Sequence, residues 1–252
     1  MRLNIINERW NSNKNVINGW LAIPDSFSAE VIASLGYDSI TVDMQHGLID
    51  FQRAVSMLQA ISNYNIAPLV RVPWNEPGII MKSLDAGAYG IICPMINNKL
   101  DCKKFVQATL YPPSGIRSFG PARARLYGGD DYWNDANNTI TNFAMIETTE
   151  AVTNLSEILS VSGLKAIYVG PTDLAVSLGL PPLPMLKDKK LLDTVKYILK
   201  NTKQSNIKAG IHCPDGKTSK EMLNMGFNFV SVSADYALMA KAAKLELELA
   251  RK

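Results

Sequence analysis

Short apolar, β-branched runs recur along the chain at 18–23, 39–42, 67–70, 90–93, 142–146, 166–169, 208–211 and 229–232. Most are separated by stretches with a helical repeat. Phe51, Val55, Leu58 and Ile61 follow the second run at helical spacing. Leu238, Ala242, Leu245 and Leu249 follow the last and predict a helix that closes the chain. Strand and helix alternating around eight strands predict a single-domain TIM (β/α)8 barrel over residues 1–252. A doubly wound open sheet shares the alternation, but the chain has no GxGxxG fingerprint. Two stretches break the rhythm. Residues 111–138 are rich in Gly, Pro, Arg and aromatics without periodicity, and Leu178–Asp188 reads as a shorter Pro-rich loop.

Composition narrows the class. The 252 residues are 47% hydrophobic and 19% charged, the balance of a globular domain. A net charge of +3 makes no electrostatic case for nucleic acid. Three cysteines without CxxC spacing argue against a disulfide framework and fit a reducing compartment. The first fifteen residues lack the apolar core of a signal peptide, and no run reaches membrane-spanning length. The expectation is a cytoplasmic protein with no membrane or nucleic-acid partner.

On a barrel, chemistry gathers at the C-terminal ends of the strands. Glu147 ends the fifth strand-like run and Asp173 follows the sixth. Two acids beside apolar strand ends need a partner or an ion, and an oxygen-only pair suits a hard divalent cation such as Mg²⁺ or Mn²⁺. Each acid could instead cap the helix that follows. Asp43 and His46 follow the second run, and His46, one of two histidines, reads as an acid/base group or as a hydrogen-bonded structural residue. Arg71 ends the third run, either as a fixed cation facing developing negative charge or as the partner of a barrel carboxylate such as Asp43. The helix opened by Gly170-Pro171-Thr172-Asp173 offers free amides to a carboxylate, or is an ordinary tight turn. Asp85 falls on the opposite rim, where it makes a turn or reaches a neighbouring subunit's site. His212 follows the seventh run and could reach the rim, but with no acid nearby in sequence until Asp215 it reads as structural. Arg117, Arg123 and Arg125 lie among aromatics in 111–138 and suggest a substrate lid or a subunit contact. Lys165 and Lys208 sit at strand starts, away from the active rim, which disfavours a Schiff-base mechanism.

Six segments together carry a resemblance. They are VDMQHG at 42–47, VRVPWNEP at 70–77, LDAGAYGIICPMINN at 84–98, YPPSGIRSFG at 111–120, MIETTEAVTNL at 145–155 and IYVGPTDLAVSLG at 167–179. In this order they resemble the metal-dependent pyruvate aldolases of the 4-hydroxy-2-oxoheptanedioate and 2-keto-3-deoxy-sugar-acid aldolase family, over nearly the whole chain. The resemblance implies a class II aldolase that cleaves a 4-hydroxy-2-oxo acid to pyruvate and an aldehyde with Mg²⁺, Mn²⁺ or Co²⁺. It implies a homo-oligomer, trimer or hexamer, with C-terminal helices exchanged between subunits. Glu147 and Asp173 would bind the metal, Arg71 the keto oxygen, and the amides of Thr172 and Asp173 the carboxylate. His46 and Asp43 would serve proton transfer, with Asp85 approaching from an adjacent subunit. Two positions depart from the family: Gln45 stands where Glu is common, and Met145 where Gln is common. Gln45 remains a candidate substrate contact. A CoA-ester lyase of the citrate or malyl type and a non-catalytic metabolite-binding barrel are the rival readings.

Overall fold

Eight strands alternate with helices in the computed structural model, which describes every residue except Pro184. The strands are β1 (Val16–Leu21), β2 (Ser39–Asp43), β3 (Ala67–Arg71), β4 (Gly90–Cys93), β5 (Thr141–Ile146), β6 (Ala166–Val169), β7 (Lys208–Cys213) and β8 (Phe229–Val232). All pair in parallel, and β8 returns to β1 through Val16 and Phe229 to close the barrel. The helices are α1 (Ile5–Asn11), α2 (Ser26–Ala33), α3 (Phe51–Ile61), α4 (Pro77–Asp85), α5 (Lys99–Thr109), α6 (Ala122–Gly128) and α7 (Tyr132–Thr139). They continue as α8 (Thr149–Thr153), α9 (Leu155–Leu159), α10 (Pro171–Ser177), α11 (Lys189–Gln204), α12 (Gly216–Met225) and α13 (Asp235–Ala250). Many begin where a short polar side chain accepts from a first-turn amide, as Asp50 does from Arg53, Asn98 from Asp101 and Asp215 from Thr218. Among the described residues no helix is long and apolar enough to cross a membrane.

The period-two pleat sorts each strand into two layers. Ile40, Val42, Val70, Ile91, Ile146, Ile167 and Ile211 face outward and join the apolar core beneath the helices. Leu69, Phe143, Met145, Tyr168, Trp20 and Phe229 face inward and fill the barrel. The inward parity continues to the C-terminal rim, so Asp43, Arg71 and Glu147 emerge above the packed interior rather than beneath a helix.

The predicted strands are present, although β1 starts two residues earlier than its apolar run suggests. The stretch 178–188 connects α10 to α11, and its Pro184 lies outside the described residues. The expectation of an irregular segment at 111–138 needs correction. It contains α6 and most of α7, folded around Arg117, whose guanidinium stacks over Tyr111 at 4.3 Å and reaches Tyr132 Oη at 3.0 Å. The segment joins α5 to β5 and therefore lies at the N-terminal end of the barrel. It cannot close over this chain's own active rim, so the lid reading fails within one chain. The short helix α1 has no counterpart in the apolar pattern. Its Trp10 packs edge-on against Phe143 at 5.9 Å and plugs that same end.

Candidate active site

Asp43 is the last residue of β2 and pairs in register with Arg71, the last of β3. Arg71 donates through Nε to Oδ1 at 2.8 Å and through Nη2 to Oδ2 at 2.5 Å. Trp20 Nε1 donates to Oδ2 at 3.2 Å, and the Trp20 ring lies under the guanidinium at 4.8 Å. The backbone amides of Gln45 and His46 turn back onto Oδ1 at 3.0 and 3.3 Å. Burial alone would raise the Asp43 carboxyl, but the hydrogen bonds and charge of Arg71, with those two amides, hold it below the usual carboxylate range. The site therefore contains a charged, fixed pair. Arg71 Nη1 makes no hydrogen bond within the described residues. The turn also requires Gly47: a Cβ there would lie 2.2 Å from the Asp43 carbonyl oxygen and 3.1 Å from Ala22 Cα.

Glu147 follows β5 and is 2% exposed. Its Oε1 accepts from the Met95 amide at 2.7 Å. Burial pushes its carboxyl up to about 7, and the charge of Asp173 adds to the rise against the hydrogen bond from Met95 and the charge of Arg71. Gly170 makes room for it, because a Cβ at that position would stand 2.6 Å from Glu147 Oε2 and 3.0 Å from Met145 Cε. Immediately beyond, Pro171 opens α10, whose Thr172 and Asp173 amides have no acceptor inside the helix. Two neighbouring carboxylates, one buried and without a side-chain cation of its own, form a donor set that suits a hard divalent ion. Among the described residues no cluster of three or more His, Cys, Asp or Glu could hold a metal. The pair fits an ion that keeps water or substrate on its other positions, not a closed structural site.

These elements meet at a cavity of about 350 Å³ lined by Trp20, Asp43, His46, Arg71, Asp173 and His212, among others. Thr172 and Met145 also reach its wall, while Glu147 lies one layer beneath, against Gly170. Gln45 does not line the cavity, and its Oε1 is buried with no hydrogen-bond partner among the described residues. Asp85 is far from it in this chain. It ends α4 at the other end of the barrel and pairs with Arg117 at 2.7 Å. Arg71 is paired with Asp43, as one of its two readings expects, and it also lines the cavity.

Trp20 and Tyr168 line the cavity although the sequence did not single them out, and His212, which read as structural, lines it too. Each lies on the inward parity of its strand, a signal available from the pleat but masked because aromatic strand residues usually read as core. Lys165 lies at the foot of β6, where burial lowers its amine to about 8. It donates to the carbonyls of Asn137, Asn138 and Ile140 at 3.2, 2.6 and 2.5 Å, which occupies it at the wrong end of the barrel for a Schiff base.

Residues 19–242 match the family model described as HpcH/HpaI aldolase/citrate lyase. The chain is 39% identical to the hydroxypyruvate/pyruvate aldolase of Rhizorhabdus wittichii, over 99% of each protein. It is 34% identical to a 4-hydroxy-2-oxo-heptane-1,7-dioate aldolase of Escherichia coli, over 89% of this chain and 86% of that one. An HpcH/HpaI aldolase/citrate lyase family protein from Burkholderia cenocepacia superposes with a TM-score of 0.91 at 29% identity, over 99% of this chain and 100% of that one. Closed barrel, converging strand-end residues and full-length similarity agree, and the chain belongs to the HpcH/HpaI aldolase/citrate lyase family of carbon–carbon lyases.

Proposed function

We propose that this enzyme reversibly cleaves a 4-hydroxy-2-oxo acid to pyruvate and an aldehyde. The observation that carries the reading is the convergence of a fixed Asp43–Arg71 pair and Asp173 on one small cavity, with the buried Glu147 carboxyl directly beneath its wall at Gly170. Glu147 and Asp173 would hold a divalent ion, Mg²⁺, Mn²⁺ or Co²⁺, which when bound supplies Lewis-acid polarisation of the keto group. The amides of Thr172 and Asp173 receive the substrate carboxylate. Arg71, held by Asp43, turns Nη1 toward the keto oxygen and stabilises the negative charge that develops there as the carbon–carbon bond breaks. His46 takes the proton from the 4-hydroxyl, and the released aldehyde leaves a pyruvate enolate that is then protonated at carbon. Gln45 stays a candidate contact to substrate through movement of its loop. A CoA ester fits poorly: Arg71 is the one Lys or Arg among the described lining residues, and Asp43 already engages it.

Asp85 acts in this scheme only across a contact between subunits, so the working form is a homo-oligomer, a trimer or hexamer. The closing helix α13 supports this, since Met239, Leu245, Leu247 and Leu249 are all exposed along it and await a neighbouring copy. Three buried, unpaired cysteines are in keeping with a cytoplasmic setting. The test is exchange of the pyruvate methyl protons in deuterated water, followed by NMR with Mg²⁺ and then with a chelator. Exchange that depends on the metal and is lost in Arg71→Ala supports the reading. Absence of exchange with Mg²⁺, Mn²⁺ and Co²⁺ overturns it.

A further inference from the structure

His212 is not used by the mechanism above, yet it forms part of the cavity floor on β7, four strands around the barrel from Arg71 on β3. Its ring stands edge-on to Trp20 at 4.9 Å between centroids. Its Nδ1 lies 3.2 Å from Tyr168 Oη. A chain of hydrogen bonds through the barrel interior decides which nitrogen carries the proton. Ser39 and Thr41 donate to Asn18 Oδ1 at 2.8 and 3.2 Å, which orients the amide. Asn18 Nδ2 then donates to Ser231 Oγ at 2.9 Å, and Tyr168 Oη donates to the same oxygen at 2.7 Å. The Tyr168 proton is thereby committed to Ser231, so the contact with His212 needs a proton on Nδ1. Nε2 is left with a lone pair, and no group among the described residues donates to it.

We propose, resting on the aldolase reading, that His212 is a specificity-determining residue whose Nε2 accepts a hydrogen bond from a hydroxyl of the aldehyde, so that the partner of pyruvate is a small hydroxyaldehyde. The keto acid belongs to the side of β3, β5 and β6, where Arg71, Glu147 and Asp173 lie. The aldehyde is left the opposite side, lined by Trp20, Ala22, His212, Ala234 and Tyr236. None of these carries a positive charge at neutral pH: burial, with the charge of Arg71, pushes the His212 imidazole down to about 4. An aldehyde with a distal carboxylate would be desolvated there without a counter-ion. A hydroxyl meets a fixed acceptor. A base this weak binds the hydroxyl and does not remove its proton at neutral pH. The cavity, about 350 Å³, stands near the small end of the range for ligand sites and favours a short aldehyde.

Two measurements test this. Nitrogen-15 NMR of the histidine-labelled protein reads the tautomer without any substrate. A protonated Nδ1 on His212 is expected, and a protonated Nε2 overturns the proposal. Aldol addition of pyruvate with Mg²⁺ is then compared for glycolaldehyde and propionaldehyde, which differ by a hydroxyl in place of a methyl. The ratio of kcat/KM should favour glycolaldehyde, fall about five- to tenfold in His212→Leu, and recover in part in His212→Gln, as expected for one neutral hydrogen bond. A ratio unchanged in His212→Leu, including an equal loss on both aldehydes, overturns the proposal and leaves His212 structural. Pyruvate proton exchange in the unaltered protein separates the two failures. Exchange with an unresponsive ratio sinks this inference alone, and no exchange sinks the aldolase reading with it.

Discussion

The barrel carries an Asp–Arg pair at each end, buried at one and with its acid partly exposed at the other, and the two pairs behave differently. At the C-terminal mouth Asp43 is held from two sides by Arg71 and by two backbone amides, and its carboxyl is held low. At the other end Asp85 has a single contact to Arg117 at 2.7 Å, and burial raises its carboxyl in spite of that partner. Arg71 keeps one face toward a cavity. Arg117 is enclosed between Tyr111 and Tyr132, and its Nε is buried with no acceptor among the described residues. The same residue types thus make a fixed pair that lines a cavity at one end and a clamp for α6 and α7 at the other. The difference lies in which valences the surrounding strands leave open.

Arg71→Ala should produce the largest effect. It removes the cation opposite the developing charge and leaves Asp43 buried without a partner. Pyruvate exchange should fall by roughly 10²–10³-fold, as for loss of one preorganised transition-state donor. Unfolding in urea should show a loss of about 3–5 kcal/mol, as for a broken buried pair. Arg117→Ala should cost less, about 1–3 kcal/mol, because the Asp85 left behind is partly exposed to water, while exchange per folded molecule falls far less. Equal losses of exchange in the two variants would erase the distinction between the ends and show that Asp85 must be held by Arg117 for a neighbour's chemistry.

The two acids at the mouth should respond to pH with opposite signs. Asp43 has a folded value below its unfolded one, so its contribution to stability is present above the ordinary carboxylate range and is lost as pH falls through the lower folded value. Glu147 is raised from 4.5 to about 7, so between those values the folded state holds a proton that the unfolded state has released. Its contribution therefore falls as pH rises through that window, by an amount on the order of 3 kcal/mol when complete. A divalent ion should offset this penalty. The melting temperature should rise on adding Mg²⁺ at pH 8 and rise less at pH 6, and Glu147→Gln should abolish the difference. An equal rise at both pH values would remove Glu147 from the metal site.

The strand-end residues were legible because a parallel barrel fixes which positions emerge at the mouth. Once the eight apolar runs are placed, Asp43, Arg71, Glu147 and Asp173 fall on one rim without further information, and Asp85 falls on the other. The start of β1 was misplaced by two residues, which leaves the inward parity of Asn18 and Trp20 intact. The helices of the N-terminal end were not legible. The sequence of α7, YWNDANNT, has weak intrinsic helix preference. Tertiary contacts such as Tyr132 with Arg117 support it there. The role proposed for His212 was hidden for a similar reason. Its tautomer depends on Asn18, Tyr168 and Ser231, three residues from three other strands that no local pattern connects.

Gly170→Ala tests the mouth with the smallest perturbation. The backbone at Gly170, with φ −96° and ψ 90°, does not demand glycine, so the added methyl acts through space alone. It would meet Glu147 Oε2 at 2.6 Å and Met145 Cε at 3.0 Å, both at the ends of flexible side chains that can move aside, and Glu147 Cβ at 3.1 Å, which must give slightly. Gly115, at the opposite end, makes the contrast, because a Cβ there would meet the carbonyl oxygens of Leu110 and Gln107 at 2.3 and 2.4 Å, which cannot. Gly115→Ala should lower the melting temperature and leave Mg²⁺ affinity per folded molecule as it was. Gly170→Ala should lower the melting temperature of the metal-free protein less than Gly115→Ala does and weaken Mg²⁺ binding about tenfold, as displacement of one ligand's orienting contact does. Calorimetric titration with Mg²⁺ checks this directly. Undiminished affinity in Gly170→Ala would mean that Glu147 can serve the ion from a second position, and that the closeness of Gly170 is a matter of packing only.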